Sequence, residues 1–436
     1  MDTIKLGLIG FGNIGTGLVN ALNQNADLIA ERLGTRIELA AIADADIKRK
    51  RDADYDPAIL TNDANTLLDD PSIQIVVELV GGLEPARTFV EKALKNGKHV
   101  VSANKAMLAT FGGELWQTAR DNKVALLYEA SVGGGIPIIR ALQTGLSANG
   151  IQKVYGILNG TCNYILTHME QDGRAFETVL AEAQAHGFAE PDPTYDVEGY
   201  DTAHKTAILA SLAFQQDIRF SDVFVEGISR LKPVDLENAR KLGYTVKLLG
   251  IARRDAADNR VEARVHPTLV RRTSLLGNVN DVFNGVLVEG DLVGQTLFYG
   301  RGAGQLPTSS AILSDVMAIA ADVAKGVTPT NDDRLRVPVG QKNLKPVSEL
   351  ETSYYLRVGI IDQPGAMAVI STALAKHEIS INSMLQSGER REGKSADVVI
   401  VTHRTRESAI QAALAEIAQS DVNRGEPFVL RVEEDL

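Results

Sequence analysis

The chain has 436 residues, of which 44% are hydrophobic and 23% charged, a length and composition that suit about three globular domains. Its formal charge of −11 at pH 7 argues against nucleic acid or an anionic membrane as the main partner and favours small-molecule chemistry. A single cysteine, Cys162, excludes an intramolecular disulfide framework and is typical of a reducing compartment, so we expect a cytoplasmic protein.

Residues 4–130 alternate strand-like and helical segments. The predicted strands are Ile4–Ile9, Ile37–Ala43, 73–79, His99–Ser102 and 124–128, and one helix is predicted over 16–33. Strands separated by helices indicate a parallel, doubly wound sheet. The predicted class is therefore α/β, with a Rossmann dinucleotide-binding domain over 1–130 that an alanine-rich helix at 305–325 completes.

A glycine-rich turn follows the first strand and opens a helix, which is the context that the dinucleotide fingerprint requires. The first glycine permits the tight turn, the second lets a pyrophosphate approach the backbone, and the third lets helix and strand pack closely. Free amides at the helix start then hold the anion. The cofactor-binding residues predicted here are Gly10, Phe11, Gly12, Asn13, Ile14 and Gly15.

Asp44 follows the second strand, where an acidic side chain can hydrogen-bond the ribose hydroxyls of NAD. Four basic residues come soon after it, at 48–51, and one of them is a candidate for the 2′-phosphate of NADP. The same basic run is equally typical of a solvated helix face. Asp44 favours NAD, and NADP stays open.

Residues 131–304 read as an α+β substrate-binding and dimerisation domain. Strands are predicted at 153–158 and 261–269, and helices at 176–186 and 200–216. An open face of such a sheet is suited to pairing with another subunit. We therefore expect a homodimer or a homotetramer.

Polar residues are densest between 156 and 205. An acidic, proline-containing loop runs from Glu190 to Glu198, and the helix after it places Asp201 and Lys205 four residues apart on one face. An ammonium among several carboxylates suits a small zwitterionic substrate whose reacting group needs a proton carrier. Taken alone, the pattern also fits an acidic loop that caps a helix with an ordinary salt bridge.

The C-terminal part begins with a polar, proline-containing connector at 326–350, which reads as a linker. Residues 351–436 then restart a compact pattern, with strands at 354–361, 379–385, Ser395–Thr402 and 428–432 and helices at 365–376 and 406–418. This βαββαβ order predicts a ferredoxin-like domain.

Five segments in order along the chain resemble homoserine dehydrogenase. They are VELVGG at 77–82, GKHVVSANK at 97–105, EASVGGGIP at 129–137, GILNGTCNYI at 156–165, and GFAEPDP at 187–193 followed by Asp201 and Lys205. The resemblance implies NAD- or NADP-dependent interconversion of L-homoserine and L-aspartate 4-semialdehyde, a step of threonine and methionine biosynthesis.

The same resemblance implies roles for individual residues. Lys205 would be the general acid/base, Lys105 would stand near the reacting oxygen and the nicotinamide, and Asp201 would orient Lys205. A second ammonium and partial burial both lower the pKa of a lysine, which makes it an effective base near neutral pH. The implied substrate-binding residues are Glu190, Asp196, Thr161 and Tyr164. The further implied cofactor-binding residues are Ser102, Lys105, Gly187 and Gly302.

The segment 129–137 resembles a monovalent-cation site of that family, occupied by Na⁺ and formed chiefly by main-chain carbonyls. The implied ligands are Glu129, Val132, Gly134 and Ile136, and carbonyl oxygens are suitable ligands for a hard cation. The alternative is a glycine-rich turn that only lets the chain cross between domains.

Residues 354–368 and 379–382 resemble an ACT domain, an amino-acid-sensing module. The turn at 362–365 would bind the effector through exposed amides, and L-threonine is the leading hypothesis for it. A purely structural dimerisation role is the alternative.

Two other functions remain open. One is a different Rossmann semialdehyde or amino-acid reductase, although Cys162 has no histidine base in its motif to serve as a nucleophile. The other is a non-catalytic NAD-binding metabolite sensor, which would have no need for two lysines at the nicotinamide. The histidines, with His204 assigned to a helix surface, offer no catalytic base.

Overall fold

The computed structural model describes residues 3–329, 336–387 and 395–436. Its N-terminal part is a parallel sheet of six strands, β1 (Ile4–Ile9), β2 (Ile37–Ala43), β3 (Leu60–Thr61), β4 (Ile75–Glu78), β5 (His99–Ser102) and β6 (Leu126–Leu127). Across the sheet the order is β3-β2-β1-β4-β5-β6. The order reverses beside β1, and the carboxyl ends of the strands form a binding crevice at such a point. The predicted Rossmann fold is confirmed.

Helices cover both faces of this sheet. They are α1 (Asn13–Gln24), α2 (Ala26–Leu33), α3 (Asn65–Leu68), α4 (Ala86–Lys95) and α5 (Lys105–Asp121). The single helix predicted over 16–33 is wrong, because the chain breaks at Asn25, where φ is −108° and ψ is 14°. Asparagine favours such breaks because its short polar side chain competes for backbone hydrogen bonds. The two-residue strand β3 is too short to leave a periodic signal in the sequence.

A long helix from late in the chain, α12 (Gln305–Ala324), packs against α1. Ile312 and Val316 of α12 share a buried cluster with Leu18, Val19 and Leu22 of α1. By length and composition, α12 is the one helix of the described residues apolar enough to cross a membrane, yet half of its apolar window is buried in the protein. Its apolar face therefore serves the core of the nucleotide-binding sheet.

A second, mixed sheet follows the crossover at 131–137. Its strands in this part of the chain are β7 (Ile151–Ile157), β8 (Phe224–Val225), β9 (Tyr244–Arg254), β10 (Val261–Arg271), β11 (Phe283–Gly290) and β12 (Gly294–Arg301). The main path is β12-β11-β7-β9-β10, and β8 pairs with β10. The helices are α6 (Ile138–Arg140), α7 (Gly160–Asp172), α8 (Phe176–Ala185), α9 (Thr194–Val197), α10 (Tyr200–Phe214) and α11 (Pro233–Lys241). Every residue of α10 from Asp201 onward is buried.

The C-terminal module has the predicted βαββαβ order. Its elements are β13 (Glu351–Ile361), α13 (Ala366–Lys376), β14 (Ile381–Ser387), β15 (Ser395–Thr402), β16 (Thr405–Arg406), α14 (Glu407–Ala418) and β17 (Phe428–Glu433). Its strands are ordered β17-β13-β15-β14, and β16 pairs with β13. The two helices pack on one buried cluster with β13 and β15. The ferredoxin-like fold is confirmed.

The sheet of the second domain and the sheet of the C-terminal module form one continuous sheet. The sequence did not indicate this continuity. β10 pairs in parallel with β17, with Thr268 opposite Arg431. Arg431, almost fully buried, binds Glu407 at 2.7 Å and Glu226 at 2.6 Å. Removing one partner of a buried ion pair typically costs about 3–5 kcal/mol. The seam therefore holds the module in a fixed position.

Part of the connector is paired with β10 through its backbone, although much of 336–350 is exposed. Val261 donates its amide to Asn343 O at 2.9 Å, and Lys345 donates its amide to Val261 O at the same distance. The Lys345 ammonium forms an ion pair with Asp255 at the end of the β9 hairpin. This segment acts as a packed strap across the edge of the second domain.

Candidate active site

The glycine-rich turn after β1 has the geometry of a phosphate cradle. A Cβ at Gly10 would lie 2.7 Å from the carbonyl of Leu79, and one at Gly15 would lie 2.4 Å from Gly10 O. At Gly12, by contrast, nothing lies within 4 Å of the added atom. Asn13 and Ile14 begin α1 directly after it, so their amides belong to the unsatisfied first turn. The open position beside free amides fits a dinucleotide pyrophosphate.

Asp44 fixes this turn from the end of β2. Its carboxylate accepts hydrogen bonds from the amides of Phe11 at 2.6 Å and Asp46 at 2.8 Å. Arg51 binds the same carboxylate at 3.0 Å and donates through Nε to Phe11 O at 2.8 Å. Of the basic run at 48–51, Arg51 is the residue that folds onto the glycine turn. A cavity of about 290 Å³ opens beside Gly12 and Asp44.

Ser102 lies at the carboxyl end of β5 and is buried. Its hydroxyl donates to Glu78 Oε2 at 2.7 Å and accepts from the amide of Asn104 at 3.1 Å. Burial raises the pKa of Glu78. Asn104 caps α5 by accepting from the amide of Met107, so this network fixes the position at which Lys105 begins the helix.

One buried carboxylate joins the two lysines. Asp201 Oδ2 accepts from Lys205 Nζ at 2.7 Å, and Asp201 Oδ1 lies 2.6 Å from Lys105 Nζ. Lys205 also donates to Leu158 O at 2.6 Å, just beyond the end of β7. Lys105 comes from the nucleotide-binding domain and Lys205 from the second domain, so Asp201 bridges the cleft between them.

The three groups shift one another's proton affinity. Burial lowers the pKa of Lys205, the charge of Asp201 opposes that shift, and Lys105 adds to it. For Lys105, burial also favours the neutral form, but Asp201 outweighs it and leaves the pKa raised. Burial alone would raise the pKa of Asp201, yet the two ammonium groups hold it well below its usual range. Lys205 is therefore the lysine that more readily gives up its proton.

Asn159 extends the cluster and was not singled out from the sequence. Its Nδ2 donates to Asp196 Oδ1 at 2.8 Å and to Asp201 Oδ2 at 2.9 Å. Its Oδ1 accepts from the amide of Cys162 at 2.8 Å and so caps α7. Burial and the charge of Asp201 raise the pKa of Asp196. The asparagine of the Asn-Gly-Thr-Cys segment thus holds two carboxylates in place.

Three of the residues implied as substrate ligands stand apart from the lysines. Glu190 is exposed, and among the described residues its carboxylate contacts none of the cluster. Thr161 donates its hydroxyl to Phe188 O at 2.6 Å, and Tyr164 donates its hydroxyl to Glu182 at 2.7 Å. Gly187 lies two residues after the end of α8, at the base of the same loop, with a φ of +73°. The Thr161 hydrogen bond ties this loop to α7 two residues before Glu190.

The implied cation ligands lie on the crossover between the domains. Both carboxylate oxygens of Glu129 accept backbone hydrogen bonds, from Ile139 and Arg140, each at 2.8 Å. Burial raises the pKa of Glu129 to about 7. The neighbouring turn contains the other three implied ligands, Val132, Gly134 and Ile136. Within the described ranges, no group of three or more histidine, cysteine, aspartate or glutamate side chains could hold a metal ion.

His204 is buried, so its assignment to a helix surface was wrong. It stacks on Phe220 at 4.1 Å between ring centroids and on Tyr195 at 5.5 Å. The hydroxyl of Tyr195 lies 2.6 Å from His204 Nδ1, and Lys105 Nζ lies 5.7 Å from the Tyr195 ring centroid. Burial lowers the pKa of His204. The prediction failed because α10 is enclosed on all sides, which helical periodicity does not reveal.

Comparisons with known proteins assign the chain to a family. The family models described as "Homoserine dehydrogenase, NAD binding domain", "Homoserine dehydrogenase" and "ACT domain" match residues 10–129, 137–317 and 354–419, respectively. The homoserine dehydrogenase of Pseudomonas aeruginosa is 43% identical over the full length of both chains.

Solved structures are similar along the whole chain. The homoserine dehydrogenase of Thiobacillus denitrificans has a TM-score of 0.91 at 42% identity and covers 100% of this chain and 99% of its own. That of Staphylococcus aureus has a TM-score of 0.77 at 35% identity, with 99% of both chains covered. The dinucleotide cradle, the paired lysines and the ACT module thus occur together in one architecture, and the chain belongs to the homoserine dehydrogenase family of NAD(P)-dependent oxidoreductases.

Proposed function

We propose that Lys205 is the general acid/base for the interconversion of L-homoserine and L-aspartate 4-semialdehyde. The observation that carries this assignment is its ammonium group, which is buried, has a lowered pKa and donates hydrogen bonds to Asp201 and to Leu158 O. A proton carrier works best when its pKa lies near the working pH. Burial brings Lys205 toward that condition, whereas Lys105 is held in its charged form.

The two lysines divide the work. In the oxidation, neutral Lys205 takes the hydroxyl proton of homoserine as the carbon–oxygen double bond forms. NAD or NADP, when bound along the glycine turn, would supply the acceptor for the hydride that leaves the same carbon. Lys105 keeps its charge and stabilises negative charge that develops on the reacting oxygen. In the reduction, protonated Lys205 returns the proton to that oxygen and is left neutral.

The substrate ammonium needs carboxylate partners, and the acidic loop supplies candidates. We propose Glu190 and Asp196 for this role, with Thr161 and Tyr164 shaping the wall of the pocket. Glu190 lies in an exposed segment fastened to α7 through the Thr161 hydrogen bond. Closure of the loop over substrate would bring Glu190 toward the lysines, and such closures are common in enzymes that exclude water.

For the cofactor we propose NAD or NADP bound along the glycine turn, with contacts at Ser102, Lys105, Gly187 and Gly302. An acidic side chain after β2, such as Asp44, is suited to bind the ribose hydroxyls of the cofactor, which favours NAD. Its charge is already matched by Arg51 at 3.0 Å. If Arg51 turns away from Asp44, it can pair with a 2′-phosphate, so the arrangement is also compatible with NADP.

Replacing Lys205 tests the assigned role. In Lys205→Met the alkyl chain stays and the proton carrier is lost, so turnover with homoserine should fall by about 10²–10⁴-fold. Cofactor affinity should stay nearly unchanged, because Lys205 makes no contact with the glycine turn. The measurements are the appearance of reduced-nicotinamide absorbance with homoserine and a calorimetric titration with NAD and NADP.

The matched control is Lys92→Met, which removes a half-buried lysine paired with Asp69 on the nucleotide-binding domain. It should turn over like the wild type. Near-normal turnover in Lys205→Met would refute the acid/base assignment. If the wild-type protein binds cofactor but shows no turnover, the non-catalytic NAD-binding sensor is favoured. If it turns over another semialdehyde and not homoserine, a different Rossmann semialdehyde or amino-acid reductase is favoured.

We propose a monovalent cation, Na⁺, at the crossover turn, held by main-chain carbonyls of Glu129, Val132, Gly134 and Ile136. The carboxylate of Glu129 is occupied by two backbone amides, which leaves the carbonyl oxygens as the suitable ligands. The role would be structural. Replacing Na⁺ with a bulky tetraalkylammonium should lower the melting temperature, and an unchanged melting temperature would remove the ion from the account.

We propose L-threonine as the effector of the ACT module, bound at the turn 362–365. Gly365 adopts a φ of +90° there and precedes α13, so the turn leads into a helix start, the kind of position at which backbone amides can bind a carboxylate. Calorimetry on the full-length protein should give heat on addition of threonine, with a fall in activity over the same range. No heat and no change in activity would leave the module with a dimerisation role.

A homodimer or homotetramer in the cytoplasm completes the proposal. Large apolar side chains are exposed near the β11–β12 end of the second sheet, at Leu275, Leu292, Val293 and Tyr299. A sheet edge that exposes several large apolar side chains is suited to pairing with another subunit. Light scattering on the purified protein measures the assembly, and a monomeric mass would contradict this part of the proposal.

A further inference from the structure

Asn284 is a buried amide without hydrogen-bond partners. It lies near the start of β11 with 1% of its surface exposed, and neither Oδ1 nor Nδ2 has a partner among the described residues. Buried amide groups are almost always hydrogen-bonded, since burying one without a partner removes its bonds to water and replaces them with none. Both ends of this side chain therefore lack the partner that a group with a donor and an acceptor side by side would supply.

Glycines surround the amide. Gly300 is its partner on β12, and a Cβ at Gly302 would lie 1.6 Å from Asn284 Oδ1. A Cβ at Gly134 would in turn lie 2.6 Å from Gly302 O. Only glycine at 302 leaves room for the Asn284 side chain. The amide thus rests against the backbone where the chain returns to the nucleotide-binding domain.

Asn284 lies on the same face of the sheet as Lys205. Gly285 pairs with Ile157, and the next residue along each strand is Asn284 and Leu158, respectively. Leu158 is the residue whose carbonyl accepts from Lys205 Nζ at 2.6 Å. Side chains alternate along a strand, and Val286, two residues from Asn284, belongs with Leu158 to the core cluster that includes α10. The amide and the proposed proton carrier are therefore anchored on adjacent positions of one face.

We propose that Asn284 recognises the carboxamide of the nicotinamide ring, an inference that rests on the proposed function. A carboxamide offers an N–H donor and a carbonyl acceptor side by side, which matches both free atoms of Asn284. The substrate carboxylate only accepts and its ammonium only donates, so neither satisfies both ends. The carboxamide is attached next to the ring carbon that exchanges the hydride. Holding it orients that carbon relative to Lys205.

A cofactor analogue separates this contact from general binding. Acetylpyridine adenine dinucleotide keeps the carbonyl but replaces the carboxamide NH₂ with methyl. Calorimetry should show that the wild type binds NAD about tenfold or more tightly than the analogue, since one buried hydrogen bond is lost. In Asn284→Leu, of similar volume, NAD should bind about tenfold or more weakly and the preference over the analogue should vanish.

Asn238→Leu is the matched control. Asn238 is also buried with an unpartnered Oδ1, but it lies on α11 and its Nδ2 donates to the hydroxyl of Tyr355 on β13. It should keep the wild-type preference. A full preference retained in Asn284→Leu would overturn the proposal, even if its melting temperature fell. If that variant does not fold, Asn284→Ala is judged by the same ratio.

The binding ratio requires no turnover, so it is independent of the homoserine assay. A wild-type protein that prefers NAD over the analogue but does not oxidise homoserine would fail only the proposed function. A protein that oxidises homoserine while Asn284→Leu keeps its preference would fail only this inference.

Discussion

The shared carboxylate of Asp201 is the interaction on which the rest of the site depends. It holds Lys105 at 2.6 Å and Lys205 at 2.7 Å, although the two lysines come from different domains. A buried carboxylate between two ammonium groups stays ionised, and its removal would leave two like charges facing each other with no compensation. The same contact links the first turn of α5, beside the N-terminal sheet, to α10 of the second domain.

The second sheet supplies the rigidity that such a site needs. Leu158 and Asn159, at the end of β7, hold Lys205 and Asp201, and the strands beside β7 continue without a break into the ACT module. Buried arginine pairs at the β10–β17 seam leave little freedom between module and site. An effector that alters the ACT strands would act on the same sheet that positions Lys205, so a separate signalling route is not required.

The sequence predicted the fold classes because its strands, helices and glycine turn leave strong local signals. It also brought Lys105, Asp201 and Lys205 to notice through motif resemblance and helical spacing. It did not predict the continuous sheet, since parallel pairing of Thr268 with Arg431 depends on contacts far apart in the chain. It did not indicate Asn159, because nothing in the sequence shows that a helix-capping side chain also binds two carboxylates. It did not indicate the burial of His204, because a helix enclosed on all sides has no periodic pattern of polar residues.

The central claim is that Asp201 sets the proton affinity of Lys205, and the pH dependence of Asp201→Asn tests it most directly. If Lys205 is the acid/base we propose, it must be neutral to accept the hydroxyl proton, and homoserine oxidation should rise with pH through its pKa, which burial lowers from the usual lysine value. The charge of Asp201 raises the pKa of Lys205, so in Asp201→Asn the rise of the oxidation rate with pH should occur at lower pH. The maximal rate should also fall, because Lys105 loses its ion pair with Asp201. If the rate of Asp201→Asn rises at the same pH as that of the wild type, the account is contradicted.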